Sequence, residues 1–326
     1  MESTSIQTPD KPLEQTAKRE VKRQIVWHNA IGLLLLHLAA LYGLYISILS
    51  AKLLTWLYGY VVLVVTGGGV TAGAHRYYTH RAFKATFGAQ CWMVVLFTLA
   101  GQNKLHIWVR DHRQHHKYSD TDADPHNSTR GFFFSHCGWL MVRKHPDVIA
   151  KGKTIDLSDL DADPIVTFQE KYYFFMYSTT NIIVLALPCL LWGESLQVCI
   201  WGVYVFRSVL LYNLTWLVNS AAHLYGTRPY NGNIQPVESR FVSLVTGGEG
   251  WHNFHHIFPS DYRTSEFGHR NDSTTRFLDA FRKKGWVYDV KETPQHLVNK
   301  WVNKFGDGSH LFNEKEEDST GNTETL

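Results

Sequence analysis

One spacing occurs twice in this chain, and it restricts the fold more than any other feature. His112-Arg113-Gln114-His115-His116 and His252-Asn253-Phe254-His255-His256 each place imidazoles at i, i+3 and i+4. On a helix these positions fall within about a 100° arc, so three rings can point one way. A looser pair, His75 and His80, precedes both clusters, and His223 stands four residues after Asn219. These nine histidines are half of the 18 in the chain. One tetrahedral zinc takes four ligands, so nine imidazoles point to two metal ions held close together. All nine must then meet in one place, and that demand decides the topology.

The segments between the clusters are long and apolar. The modest mean hydropathy, −0.20, hides their uneven distribution. Runs at 31–49, 53–74, 172–192 and 196–218 are each long enough to cross about 30 Å of hydrocarbon. Lys11, Lys18, Arg19, Lys22 and Arg23 place the N-terminal arm, residues 1–25, on the cytosolic side, where it is expected to be disordered. That stretch has no cleavable-signal pattern, so membrane entry is expected to rely on the first internal span. The first hairpin (26–74) then returns His75 to the cytosol. Residues 75–171 form a cytosolic segment, a second hairpin (172–218) follows, and a cytosolic cap (219–313) carries the last cluster. An acidic, disordered tail, 314–326, is expected to end on the same side. Within 87–108 the uninterrupted apolar run, Cys91 to Ala100, is too short for an ordinary span. Crossing there would also put His75 and His112 on opposite faces of the membrane, so it is read as a re-entrant or interfacial helix. Pro188 is a candidate kink in the third span. Arg207, costly in lipid, should face protein or a polar cavity. His75 and His80, five apart, lie about 140° apart on an α-helix, so the helix is expected to break between them. The fold class is therefore an all-α membrane protein with four transmembrane helices and a cytosolic helical cap holding a histidine-rich di-metal site.

The formal charge of +3 is too small to argue for a nucleic-acid partner, and no P-loop or dinucleotide fingerprint occurs. Cys91, Cys137, Cys189 and Cys199 form no CxxC and read as small hydrophobes. Asn219, sharing a face with His223, could bind a metal or hold a water. All-imidazole ligation suits zinc, copper, iron or nickel alike.

The motifs resemble the membrane acyl-CoA desaturases, specifically the stearoyl-CoA, delta-9-type family in its insect branch. They are Gly73-Ala74-His75-Arg76, Arg110-Asp111-His112-Arg113-Gln114-His115-His116-Lys117, Asp122-Ala123-Asp124-Pro125-His126, Gly131-Phe132-Phe133-Phe134-Ser135-His136, Trp216-Leu217-Val218-Asn219-Ser220-Ala221-Ala222-His223 and Gly248-Glu249-Gly250-Trp251-His252. The resemblance covers roughly residues 25–290. It implies a di-iron enzyme of the endoplasmic reticulum membrane that desaturates a long-chain acyl-CoA, using O2 and electrons from cytochrome b5. It also implies that His75, His80, His112, His115, His116, His223, His252, His255 and His256 ligate two iron ions, with Asn219 holding a water on one. Glu249 is a candidate to orient an imidazole. Gln102, Trp108, Thr215, Trp216, Leu63 and Gly67 match an acyl tunnel, and Asn29, Asn103, Arg110, Asp111, Arg143 and Lys144 match the CoA site. The chain lacks a His-Pro-Gly-Gly stretch, so cytochrome b5 is expected as a separate protein.

Three departures bear on specificity. Leu63 and Gly67 stand where a bulkier residue often ends the tunnel, which implies a roomier end. The last cluster reads Trp251-His252-Asn253-Phe254-His255-His256, and Lys104-Leu105-His106-Ile107 precedes Trp108. Delta-9 is therefore a default, with another regiochemistry such as delta-11 as the alternative. A fatty acyl hydroxylase, a lipid-linked desaturase or a non-enzymatic metal-handling membrane protein are the competing readings. A transporter should place ligands near the bilayer midplane, whereas these cluster outside the spans.

Overall fold

The computed structural model describes residues 24–268 and 272–310. The acidic tail and nearly all of the N-terminal arm lie outside these residues. Where the arm enters them it is paired, which corrects the expected disorder at residues 24–25. Val26 N donates to Met141 O at 2.8 Å and Arg143 N to Gln24 O at 3.0 Å.

In chain order, α1 (Trp27–Ser50) and α2 (Leu53–Thr79) form a hairpin, followed by α3 (Phe87–Ala100) and α4 (Leu105–Tyr118). A second hairpin comprises α5 (Pro164–Trp192) and α6 (Leu196–Leu224). Short helices α7 (Arg240–Thr246), α8 (His252–Ile257), α9 (Ser273–Lys283) and α10 (Gln295–Phe305) complete the cap. Strand Lys84–Ala85 pairs antiparallel with Val287–Tyr288 and ties the cap to the end of α2. Among the described residues four helices, α1, α2, α5 and α6, are long and apolar enough to span a membrane. They turn large apolar side chains outward, among them Leu38, Leu57, Phe174 and Ile182, as helices solvated by lipid do. At about 1.5 Å per residue, the 14 residues of α3 reach only about 21 Å. Instead of crossing, α3 packs on α2 and α5 and buries Met93 and Phe97.

Small residues set how closely the helices approach. A Cβ on Gly43 would lie 2.0 Å from Trp201 O, and one on Gly202 would lie 2.2 Å from Ser47 Oγ, so α1 and α6 cross nearly backbone to backbone. Between α2 and α3 the same role falls to Gly69, whose Cβ would meet Phe97 N at 2.5 Å.

One expectation about helix breaks needs correction and another needs a different cause. The helix does end between His75 and His80, at Thr79, but α2 is no longer α-helical there. It widens into a π-helix from Gly69 to Thr79, with His80 as its C-cap and His80 N donating to His75 O. In i→i+5 winding, residues five apart stack on one face, so the two rings lie 5.0 Å apart. In α5 the backbone departs from helical geometry at Tyr172 (φ −109°, ψ 20°) and not at Pro188. Pro188 removes the N–H that Val184 O would have accepted, and Tyr58 Oη donates to that carbonyl at 2.9 Å instead. Arg207 does face protein. It is 3% exposed, and its Nε donates to Val203 O at 3.2 Å.

The hairpin turns at the end far from the histidines are fastened together. Lys52 Nζ donates to Trp192 O at 2.6 Å and to Gly193 O at 2.9 Å, covering carbonyls that the end of α5 leaves open. The buried Glu194 carboxylate accepts from Lys52 N at 3.0 Å and from Thr55 Oγ1.

Candidate metal centre

The π-wound end of α2, α4, the end of α6 and α8 converge at one end of the bundle. Their imidazoles form two groups among the described residues. The first is His75, His80, His112, His116 and His255, and the second is His115, His223, His252 and His256. Within each group one nitrogen per ring lies within 4.8 Å of all the others. The repeated cluster therefore does not serve one site per copy. From α4, two rings enter the first group and one the second, while α8 contributes one and two.

Several inward nitrogens face only one another, at hydrogen-bond distance. His75 Nε2 is 2.9 Å from His255 Nε2, and His255 Nε2 is 3.1 Å from His116 Nε2. In the second group His252 Nε2 and His256 Nε2 are 3.1 Å apart. The buried Nε2 atoms of His80, His112, His115 and His223 have no hydrogen-bond partner. Buried polar atoms left this way cost free energy unless something fills the space between them.

The opposite ring nitrogens are arranged as they are where a cation fills such a space. His75 Nδ1 lies 2.7 Å from Glu249, His115 Nδ1 2.9 Å from Asp124, and His223 Nδ1 2.9 Å from Asp120. Each carboxylate accepts a hydrogen bond from Nδ1–H, leaving the Nε2 lone pair aimed inward, as carboxylates behind metal-bound histidines do. Burial, reinforced by neighbouring rings, holds His80, His112, His116, His252, His255 and His256 well below the ordinary histidine range. Neutral imidazole is the form that binds a cation. For Glu249, burial alone would raise the carboxyl, but Arg76 and then His75 bring it down to about 2. Burial likewise works against ionised Asp120 and Asp124, and their histidine partners more than offset it. The donor set fits two cations, one facing five imidazoles and one facing four.

Asn219 is half-buried one turn before His223 on α6. Glu249 is fixed in turn by Arg76, which is 1% exposed and reaches Glu249 at 2.8 Å, Asp272 at 3.2 Å and Thr275 Oγ1 at 2.9 Å. The roles of Asp120 and Asp124 were not legible from the spacing of the histidines. Nor were those of His126, 3.4 Å from Asp124, and His136, which bridges Ser220 Oγ (3.0 Å) and Asn213 Oδ1 (3.1 Å). The available signal was acidic residues four apart, Asp120 and Asp124, directly after the first cluster.

The candidate tunnel residues divide. Gln102 Nε2 donates to Thr215 Oγ1 at 2.7 Å and Trp108 Nε1 to Gln102 Oε1 at 3.3 Å, while the Trp108 ring stacks on His112 at 5.0 Å. These three side chains thus form one linked unit against the first histidine group. Trp216 packs 5.9 Å from the His136 ring. Leu63 lines a cavity of about 160 Å³ between α1, α2 and α6, and a Cβ on Gly67 would meet only Leu211 Cδ1, at 3.8 Å. Among the candidate CoA residues, Arg110 and Lys144 both hold Asp111, at 2.7 and 2.9 Å, with Arg143 exposed beside them. Asn29 and Asn103 are engaged elsewhere. Asn29 donates to Leu140 O at 2.9 Å, and Asn103 (φ 82°) accepts from Lys104 N at 2.8 Å.

Comparison with known proteins bears on this geometry. Residues 51–265, which contain every histidine of both groups, match the model of the family described as fatty acid desaturase. The chain is 47% identical over 301 residues to the acyl-CoA Delta-9 desaturase of Acheta domesticus, covering 92% of this chain and 84% of that protein. It is 48% identical over 289 residues to the acyl-CoA Delta12-desaturase of the same species, covering 88% and 81%. Against the acyl-CoA Delta(11) desaturase of Spodoptera littoralis it is 46% identical over 300 residues, covering 91% and 88%. With likeness of that depth running through all four histidine-bearing segments, the chain belongs to the fatty acid desaturase family.

Proposed function

We propose that this chain is an O2-dependent acyl-CoA desaturase that introduces one double bond into a saturated long-chain acyl-CoA, with two iron ions held by the nine histidines. The observation that carries the reading is the division into five and four inward-facing imidazoles, with Trp108, Gln102 and Thr215 linked against the first group. Asn219, one turn before His223, would complete the four-imidazole group by holding a water. Iron bound there supplies redox chemistry by which O2 accepts hydrogen from two adjacent methylenes, a reaction open to no side chain because an unactivated C–H has no acidic proton.

The chain's own residues bind and orient. Glu249, Asp124 and Asp120 accept from Nδ1–H of His75, His115 and His223, so these rings cannot turn or change tautomer. Trp108, Gln102 and Thr215 shape the acyl chain beside His112, with Trp216 on the same wall. Leu63 and Gly67 leave space for its methyl end. Arg110, Lys144 and Arg143 meet the CoA phosphates, Asp111 holds the first two in place, and Asn29 and Asn103 border the head group. Cytochrome b5 supplies electrons from the cytosol, and the protein lies in the endoplasmic reticulum membrane with both termini cytosolic. Delta-9 is the default position. The relatives' names span three regiochemistries at nearly equal identity, so product analysis decides it.

The test is expression in a yeast lacking its own desaturase, with double bonds mapped in total fatty acids. New monounsaturated chains that vanish in His115→Ala are expected. A hydroxylated product, or none with the protein present in the membrane, would overturn the assignment.

A further inference from the structure

The four cysteines are not equivalent in space. Cys91 on α3 and Cys137, just after the short helix Phe132–His136, stand apart from one another on the histidine side. Cys189 and Cys199 lie near the opposite end of the bundle, on α5 and α6, either side of the turn 193–195. Their Sγ atoms are 3.3 Å apart, with Cys199 buried and Cys189 half-buried. Closing that gap to the roughly 2.05 Å of a disulfide takes a shift of about 1.3 Å, within reach of small side-chain rotations. The turn itself is already held, because Lys52 and Glu194 fix both its flanks.

We propose that Cys189 and Cys199 form an intramolecular disulfide that staples the second hairpin at its non-cytosolic end. The inference rests on the orientation given above, in which the hairpin turns face the oxidising lumen and the histidines face the reducing cytosol. Disulfides persist in the first compartment and are rare in the second. The pair on the lumenal side is the one in contact, and the two cytosolic-side cysteines stand apart. The oxidant is the disulfide of a lumenal dithiol–disulfide oxidoreductase, acting as the hairpin folds. One cysteine thiolate attacks it, forms a mixed disulfide and releases one oxidoreductase thiolate. The second cysteine then attacks the mixed disulfide at this chain's sulfur, forming the Sγ–Sγ bond and releasing the other thiolate. Two electrons and the two protons lost by Cys189 and Cys199 pass to the oxidoreductase, which is left as a dithiol.

The test uses the full-length chain in its native membrane. Cells are quenched in acid, the protein is denatured, and free thiols are blocked with N-ethylmaleimide, so burial cannot imitate oxidation. Reduction followed by a polyethylene-glycol maleimide then tags only thiols that had been oxidised. Two tags per chain are expected for the natural sequence and for Cys91→Ser and Cys137→Ser, and none for Cys189→Ser or Cys199→Ser. An untagged natural chain, or tags that persist in both of the last two variants, would overturn the pairing. A C-terminal epitope probed with protease on intact microsomes reports the orientation separately. Digestion of the epitope in an untagged chain sinks the staple alone, and protection of the epitope shows that the orientation has failed as well.

Discussion

At the scale of the residue, the centre depends on which nitrogen of each ring keeps its proton. The positions of the nine rings were legible because helical spacing is local. The carboxylates that decide their tautomers were harder to see, because two of the three reach their rings through the fold and the third, Asp124, through a loop that brings it back nine residues later. Asp120 meets His223 across 103 residues and Glu249 meets His75 across 174 (249 minus 75). Glu249 was found through its motif, whereas Asp124 stood in a motif without a role and Asp120 in none. Glu249→Gln keeps the shape and loses the charge that Arg76 and His75 share. It should weaken metal retention by about 10–100-fold, measured as metal per chain after dialysis against a graded chelator. Retention equal to the parent would mean that Glu249 does not hold the ring.

At the scale of the element, α2 does two jobs that its sequence only half reveals. Its apolar run announces a span, but helical periodicity alone demanded a break before His80. The π winding was not legible because i→i+5 bonding follows from how the helix packs, here against α3 through Gly69. Adding one methyl at Gly69 puts it against the α3 backbone, and Gly69→Ala should cost about 1–3 kcal/mol as overpacking. Gly67→Ala, two residues away and meeting only Leu211 at ordinary contact distance, serves as the control. Equal melting temperatures for the two variants would contradict the close approach. Gly67→Leu tests specificity on the same helix. The larger side chain should shift products toward shorter acyl chains, and an unchanged chain-length profile would remove Gly67 from the tunnel. The kink in α5 carries a similar lesson. Proline marks where a hydrogen bond is missing, but Tyr58 supplies a substitute at Pro188, and the bend appears at Tyr172, where no residue type signals it.

At the scale of the whole molecule, the fold was legible through parity. Four crossings are what bring the clusters to one side, and α3 is short in keeping with that. The sequence did not reveal how the other end is held, because Lys52 and Glu194 act through the turn backbone and each other's helices. The two ends are therefore secured differently: one by fixed hydrogen bonds to the turn, the other by imidazoles whose inward nitrogens meet one another or no protein partner. His75 and His255 stand 180 residues apart in sequence and 2.9 Å apart in space. A cation shared by them would act as a reversible crosslink closing that loop. For a chain free in water, a closure of this length is worth on the order of 5 kcal/mol of chain entropy, and spans already confined by a bilayer leave less to gain. Chelation should therefore lower the melting temperature of the cap, and iron should restore it. A melting curve indifferent to chelator would show that the cap folds without its metal. In polymer terms, the histidines are where an otherwise open chain is tied into a ring.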